Sequence, residues 1–144
     1  MPSIHDVAQY FVAKGIDSED CGMSNLKLQK LVYYAQGFHL ALYDQPLFEE
    51  RIFAWTHGPV SPDLYHKYKE HGKSPITDVE YNPSDRFTDE QIDFLEEIYE
   101  VFGQFSAWKL RNMTHSEPPW QAHEEYASEI PIEAMKEYFQ TRVK

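Results

Sequence analysis

The stretch from Ser24 to Tyr43 constrains the fold more than any other part of this chain. Leu28, Leu31, Val32, Ala35, His39 and Leu42 recur at helical spacing along one side, and Leu26, Tyr33, Gly37 and Leu40 line the opposite side. A helix that is apolar on two faces has no stable place on a surface, so the rest of the chain must pack around it. Ser24 or Asn25 is its expected cap. Between the stripes run two polar seams, with Gln29 and Gln36 on one flank and Lys27, Lys30 and Tyr34 on the other. Those seams are the first places to look for function.

The flanking segments read as shorter helices. Ser3 caps a helix carrying Ile4, Val7, Ala8 and Phe11, with Gly15 as its expected stop. Ser61-Pro62-Asp63 combines a cap, a proline at the first helical position and an acid in the first turn, which predicts a helix from Pro62 to about Glu70, ended by Gly72. Thr88 and Gln91 form a capping box, and Ile92, Leu95, Ile98, Tyr99 and Phe102 carry that helix on, with Asp93, Glu96, Glu97 and Glu100 outward. Ser106 caps a helix to about Met113, Glu117-Pro118-Pro119-Trp120 is expected to bend, and Pro131 opens a last helix with Ile132, Met135, Tyr138 and Phe139. Only residues 51–55 suggest a strand or a simply extended segment, and His57-Gly58-Pro59 is expected to break any regular element. The prediction is a mainly α, compact single-domain fold spanning 1–144 and built around the 24–43 helix.

Composition sets the partner class. The 24 acidic and 13 basic side chains give a formal charge of −11, which repels phosphate backbones and makes nucleic acid an improbable ligand. Cys21 is the sole cysteine, so an intramolecular disulfide and a Cys-rich zinc site are both excluded, and a reducing cytoplasm fits. No leader pattern and no apolar run of about 18 residues is visible, so the chain is expected neither to be exported nor to span a membrane.

Three strings then stand out: Leu26-Lys27-Leu28-Gln29-Lys30-Leu31-Val32-Tyr33-Tyr34-Ala35-Gln36; Trp55-Thr56-His57-Gly58-Pro59-Val60; and Leu110 with Thr114-His115 and Pro119-Trp120. In this order, with an acidic helix between the last two, they resemble the Panacea domain, the SocA-like or GepA-like family. The closing segment from Ile130 to Phe139 is similar to that family as well. The resemblance implies an antitoxin of a type II toxin–antitoxin system, found in bacteria, prophages or mobile elements, that neutralises a toxin encoded by an adjacent gene through direct protein contact. It implies no cofactor and no catalytic role. The toxins paired with the family include alarmone-synthetase relatives, and the SocA branch delivers its toxin to a Clp protease. Some members carry a DNA-binding segment; the resemblance here covers nearly the whole chain, so operator binding is not expected.

The partner-binding candidates are therefore Lys27, Gln29, Lys30, Tyr33, Tyr34, Gln36, Trp55, His57, Gly58, Pro59, Val60 and Tyr65. Each has a plainer reading. The tyrosines and glutamines of the long helix would be hydrogen-bonded core, since a buried unpaired hydroxyl or amide costs about 1–3 kcal/mol. Gly58 and Pro59 would be a packed turn. Thr114-His115 with Glu117 and His123 invites a metal or acid–base proposal, but the spacing matches no zinc helix motif, and Thr114 and His115 are expected instead to end a helix while Trp120 packs beneath the Pro118-Pro119 bend. Cys21 has no neighbouring Cys or His that would make it a nucleophile. The acidic helix is a solvated face, or a lure that speeds association with a basic toxin. Two rivals to occlusion remain open: an adaptor that delivers the toxin to a protease, and an enzyme that reverses the toxin's modification.

Overall fold

In the computed structural model, residues 1–17 and 22–143 are described; Cys21 lies outside them. Helix α1 spans Ile4–Ile16 and α2 spans Asn25–Tyr43. Strands β1 (Phe53–Trp55) and β2 (Gly58–Val60) follow, then α3 (Pro62–Tyr68), α4 (Asp89–Phe102), α5 (Ala107–His115), α6 (Pro118–Gln121) and α7 (Ile132–Gln140). Two short 3-10 turns, at Lys69–His71 and Pro83–Arg86, complete the regular structure among the described residues. The fold is mainly α, as the helical periodicity predicts.

The caps form as their side chains dictate. Ser3 and Asp6 exchange the two bonds of a capping box at α1, and Thr88 and Gln91 do the same at α4. Ser24, Ser61 and Ser106 each accept a backbone N–H in the first turn of α2, α3 and α5. Gly15 does not stop α1, which runs one residue further. It is buried, and a Cβ there would lie 2.7 Å from Met23 Cβ, so its smallness lets the segment just before α2 pack closely against α1.

Helix α2 is the axis. Leu28, Leu31, Val32, Ala35, Tyr33, Gly37 and Leu40 are buried on its two sides, and α1, α3, α4, α5, α7 and β2 all pack against it. The Phe139 ring of α7 lies directly over Gly37, where an added Cβ would fall 2.2 Å from the ring. The apolar stripe stops short of the helix end: His39 is half-buried and Leu42 is 49% exposed, because α2 outruns the elements that cover it.

The 51–55 run, expected as a strand or simply extended, supplies one strand of a small hairpin. β1 and β2 pair antiparallel with Trp55 opposite Gly58, Ala54 opposite Pro59 and Phe53 opposite Val60, so Thr56 and His57 form the two-residue tip. Gly58-Pro59 therefore builds a strand instead of breaking one. Gly58 supplies φ +111° just after the tip, and Pro59 is tolerated because β2 is an edge strand that needs no amide donor there. The other edge of β1 receives residues 128–130, with Ala54 N donating to the Ser128 carbonyl at 3.0 Å and Ile130 N to the Ile52 carbonyl at 2.8 Å. The Glu117 to Trp120 bend contains a single helical turn, α6, initiated by Pro118. Among the described residues, no helix is long and apolar enough to cross a membrane.

Candidate functional site

The three strings singled out in sequence meet at one point. A Cβ placed on Gly58 would lie 2.6 Å from Lys30 Cε and 2.9 Å from Thr114 Oγ1, so the first, second and third strings touch there with no space for a side chain. The hairpin is pinned from both sides. Lys30 Nζ donates to the Pro59 carbonyl at 3.1 Å, Gln29 Oε1 accepts from Ser61 N at 2.9 Å, and Trp120 Nε1 donates to the Trp55 carbonyl at 2.7 Å. Thr114 ends α5 by donating to the Arg111 carbonyl at 2.7 Å.

The α2 seams are filled with internal bonds. Gln29 donates to Asn25 Oδ1 at 3.1 Å. Gln36 accepts from Leu47 N at 2.7 Å and donates to the Phe48 carbonyl at 2.9 Å, which ties the loop after α2 to the helix. Tyr33 and Tyr34 hydroxyls donate to the two oxygens of Glu117, at 3.3 and 2.7 Å. Glu117 is buried, and burial pushes its carboxyl up to about 7 against the opposing pull of the two tyrosines and Arg142. Arg142 approaches it at 3.8 Å from the end of the chain and bonds the Tyr138 hydroxyl at 3.0 Å.

One turn before the tyrosines the electrostatics reverse. Lys30 has no accessible surface, and burial, reinforced by the Arg111 guanidinium, brings its ammonium down to about 7. His115 stacks flat on Trp120, with centroids 3.9 Å apart and planes 5° apart. Its imidazole is held below the usual range by burial first, then by Arg111, Lys30 and His57, while a hydrogen bond to the Thr56 carbonyl opposes the shift.

Burial redirects most of the sequence-predicted contacts. Gln29, Lys30, Tyr33, Tyr34, Gln36, Gly58, Pro59 and Val60 are buried, so in this conformation they shape and stiffen the site and have no surface to offer a partner. Lys27 remains half-exposed, its Nζ on the Gly103 carbonyl at 2.6 Å. Trp55 is half-buried and meets the exposed Tyr65 edge to face at 5.3 Å, and His57 is exposed at the hairpin tip. Sequence reasoning missed two neighbours. Trp108 is 58% exposed, and the Arg111 guanidinium lies 4.4 Å over its ring. Their three-residue spacing on a short capped helix, with His115 four residues further on, was the available signal.

The residues considered for a metal point elsewhere. Glu117 faces the tyrosines, His115 faces Trp120, and His123 Nδ1 lies 2.7 Å from the Pro119 carbonyl. Among the described residues, no group of three or more His, Cys, Asp or Glu could hold a metal ion.

No solved structure matches. "Antitoxin SocA" of Caulobacter vibrioides (strain NA1000 / CB15N) is 31% identical over 115 residues, which cover 70% of this chain. The match takes in 60% of that relative's length. Residues 28–121 match the family described as "Antitoxin SocA-like, Panacea domain", a span that runs from α2 through α6 and holds almost all of the three converging strings. The chain belongs to the SocA-like Panacea domain family.

Proposed function

We propose that this chain is an antitoxin that neutralises a cognate protein toxin by binding it directly, stoichiometrically, so as to cover the toxin's active or target-binding surface. The observation that carries this reading is the convergence of the three family strings beneath a rim of aromatic and cationic side chains. Trp55 pairs with Tyr65 beside the hairpin, and Trp108 pairs with Arg111 on α5, the helix that packs against β2. Trp, Tyr and Arg dominate the energetic centres of protein interfaces, because each brings a large contact area with a polar handle. The buried polar network below keeps that rim rigid, so little ordering entropy is lost on binding.

The contacts assigned are Lys27, Trp55, His57, Tyr65, Trp108 and Arg111, with the buried residues of the strings as their scaffold. The toxin is expected from an adjacent gene. The formal charge of −11 favours a basic partner at long range and raises association rate more than affinity.

Co-expression with the product of the adjacent gene tests this, with growth followed and the complex recovered by pulldown. Rescue of growth with a stable stoichiometric complex is expected, and Trp108→Ala should weaken capture more than about tenfold without unfolding the chain. Rescue that needs a Clp-type protease and leaves no stable complex would assign the adaptor mechanism instead. Substoichiometric rescue that depends on His115 or His57 would assign an enzyme.

A further inference from the structure

We propose that Arg111, His115 and His57, with the buried charge of Lys30 behind them, form an oxyanion site under the hairpin tip, whose ligand is an Asp or Glu side chain of the toxin. The proposal rests on the antitoxin reading for the source of the anion, but the site itself stands on the geometry of this chain.

Four cationic or protonatable groups from three separate segments are gathered here without a counter-charge. The structure holds seven ion pairs among the described residues, and none reaches Lys30, Arg111, His115 or His57. In a chain with 24 acids against 13 bases, that is the reverse of what chance placement gives. Donors are also left over. Fully buried Lys30 has three N–H groups and one acceptor, the Pro59 carbonyl. Arg111 Nε is occluded and has no hydrogen-bond partner; His115 Nε2 is occluded and unpartnered too, and becomes a donor only when the ring is protonated, which an arriving carboxylate favours. Unpartnered buried donors are costly, and a cluster of them beside a buried lysine is relieved at once by an acceptor that carries charge.

The surroundings limit what that acceptor is. Arg111 rests on Trp108 and bonds its exposed neighbour Asn112 at 3.0 Å, so its guanidinium sits on the solvent side of the cluster. Gly58 presses directly on Lys30, which closes the inner side. The ligand therefore arrives from outside, past His57 and Arg111, and is a single carboxylate or phosphate group. A protein partner that docks against Trp108 places a carboxylate there naturally. The net negative charge of this chain acts over many ångströms on the partner's overall charge, whereas the cluster acts at contact on one side chain, so the two preferences are compatible.

The test has two arms. In the first, the purified chain is titrated with sodium acetate, sodium phosphate and sodium chloride at matched ionic strength, and the His115 ring, the Thr56 to Gly58 amides and the Trp120 indole are followed by NMR. Saturable shifts confined to these groups with acetate, weakened about tenfold in Arg111→Gln, are expected. In the second, Arg111→Glu should abolish toxin capture, and reversing one acidic residue of the toxin should restore it. Saturation by phosphate alone, with capture by Arg111→Glu unchanged, would keep the site and assign it to free phosphate, overturning the carboxylate source. No saturable shift with either anion, together with wild-type capture by Arg111→Glu, would overturn the site. If the neighbouring gene product is never captured, the antitoxin reading fails while the titration arm still decides the site.

Discussion

Tyr33 and Tyr34 hold a buried acid; Lys30, one turn earlier on the same helix, sits among cations. Glu117 has two tyrosine donors at 3.3 and 2.7 Å and an arginine at 3.8 Å, so its charge is answered from several directions. Lys30 has one carbonyl at 3.1 Å and a neighbouring guanidinium that repels it. Both groups are buried on α2 or against it, so burial does not separate them. Completeness does. A satisfied buried network rigidifies a core, whereas an incomplete one marks a place where something else belongs. The first region reads as scaffold and the second as site.

The sharpest way to break the comparison is Gly58→Ala. The left-handed φ of +111° and the 2.6 Å approach to Lys30 Cε oppose any side chain, so a loss of about 3 kcal/mol or more in urea unfolding is expected. The hairpin would lift from α2, and the cationic cluster would disperse with it. Next comes Tyr34→Phe, which removes the shorter bond to Glu117 and leaves a buried acid under-satisfied. It should cost about 1–3 kcal/mol, more than Tyr33→Phe, whose bond is longer.

The pH dependence of stability separates the two regions by sign. The Glu117 carboxyl is raised from 4.5 to about 7 in the fold, so its contribution is complete below pH 4.5 and is lost as pH rises to about 7. The Lys30 ammonium is lowered from 10.5 to about 7, so its contribution is complete above pH 10.5 and is lost as pH falls to about 7. Unfolding of Glu117→Gln and Lys30→Met against the parent chain isolates each group, since other titrations largely cancel. The first difference should change between pH 4.5 and 7 and the second between pH 7 and 10.5, with slopes of at most about 1.4 kcal/mol per pH unit. Equal profiles for both variants would erase the distinction between scaffold and site. The smallest expected effect on stability is Arg111→Gln, within about 0.5 kcal/mol, because its guanidinium lies toward solvent.

Much of the fold was legible because caps and periodicity are local. Ser3, Ser24, Ser61, Thr88 and Ser106 each start the helix their neighbours predict, and the two-sided apolar pattern of α2 places it at the centre. The hairpin was misread because Gly58-Pro59 is a breaker in isolation. It becomes a strand only once β1, Lys30 and Thr114 surround it. The candidate site was half legible. Its strings were visible, but seam residues such as Tyr34 and Gln36 turned inward, and Arg111 and Trp108 carried too weak a pattern to be chosen.

Sequence alone determined that this chain is helical, centred on one helix and a member of its family, since each follows from short-range pattern and order along the chain. Only the tertiary structure decided which polar residues are answered and which are not. Glu117 lies far along the chain from the tyrosines that bind it, as Arg111 does from Lys30, and charge balance is a property of distances in space that no local spacing encodes.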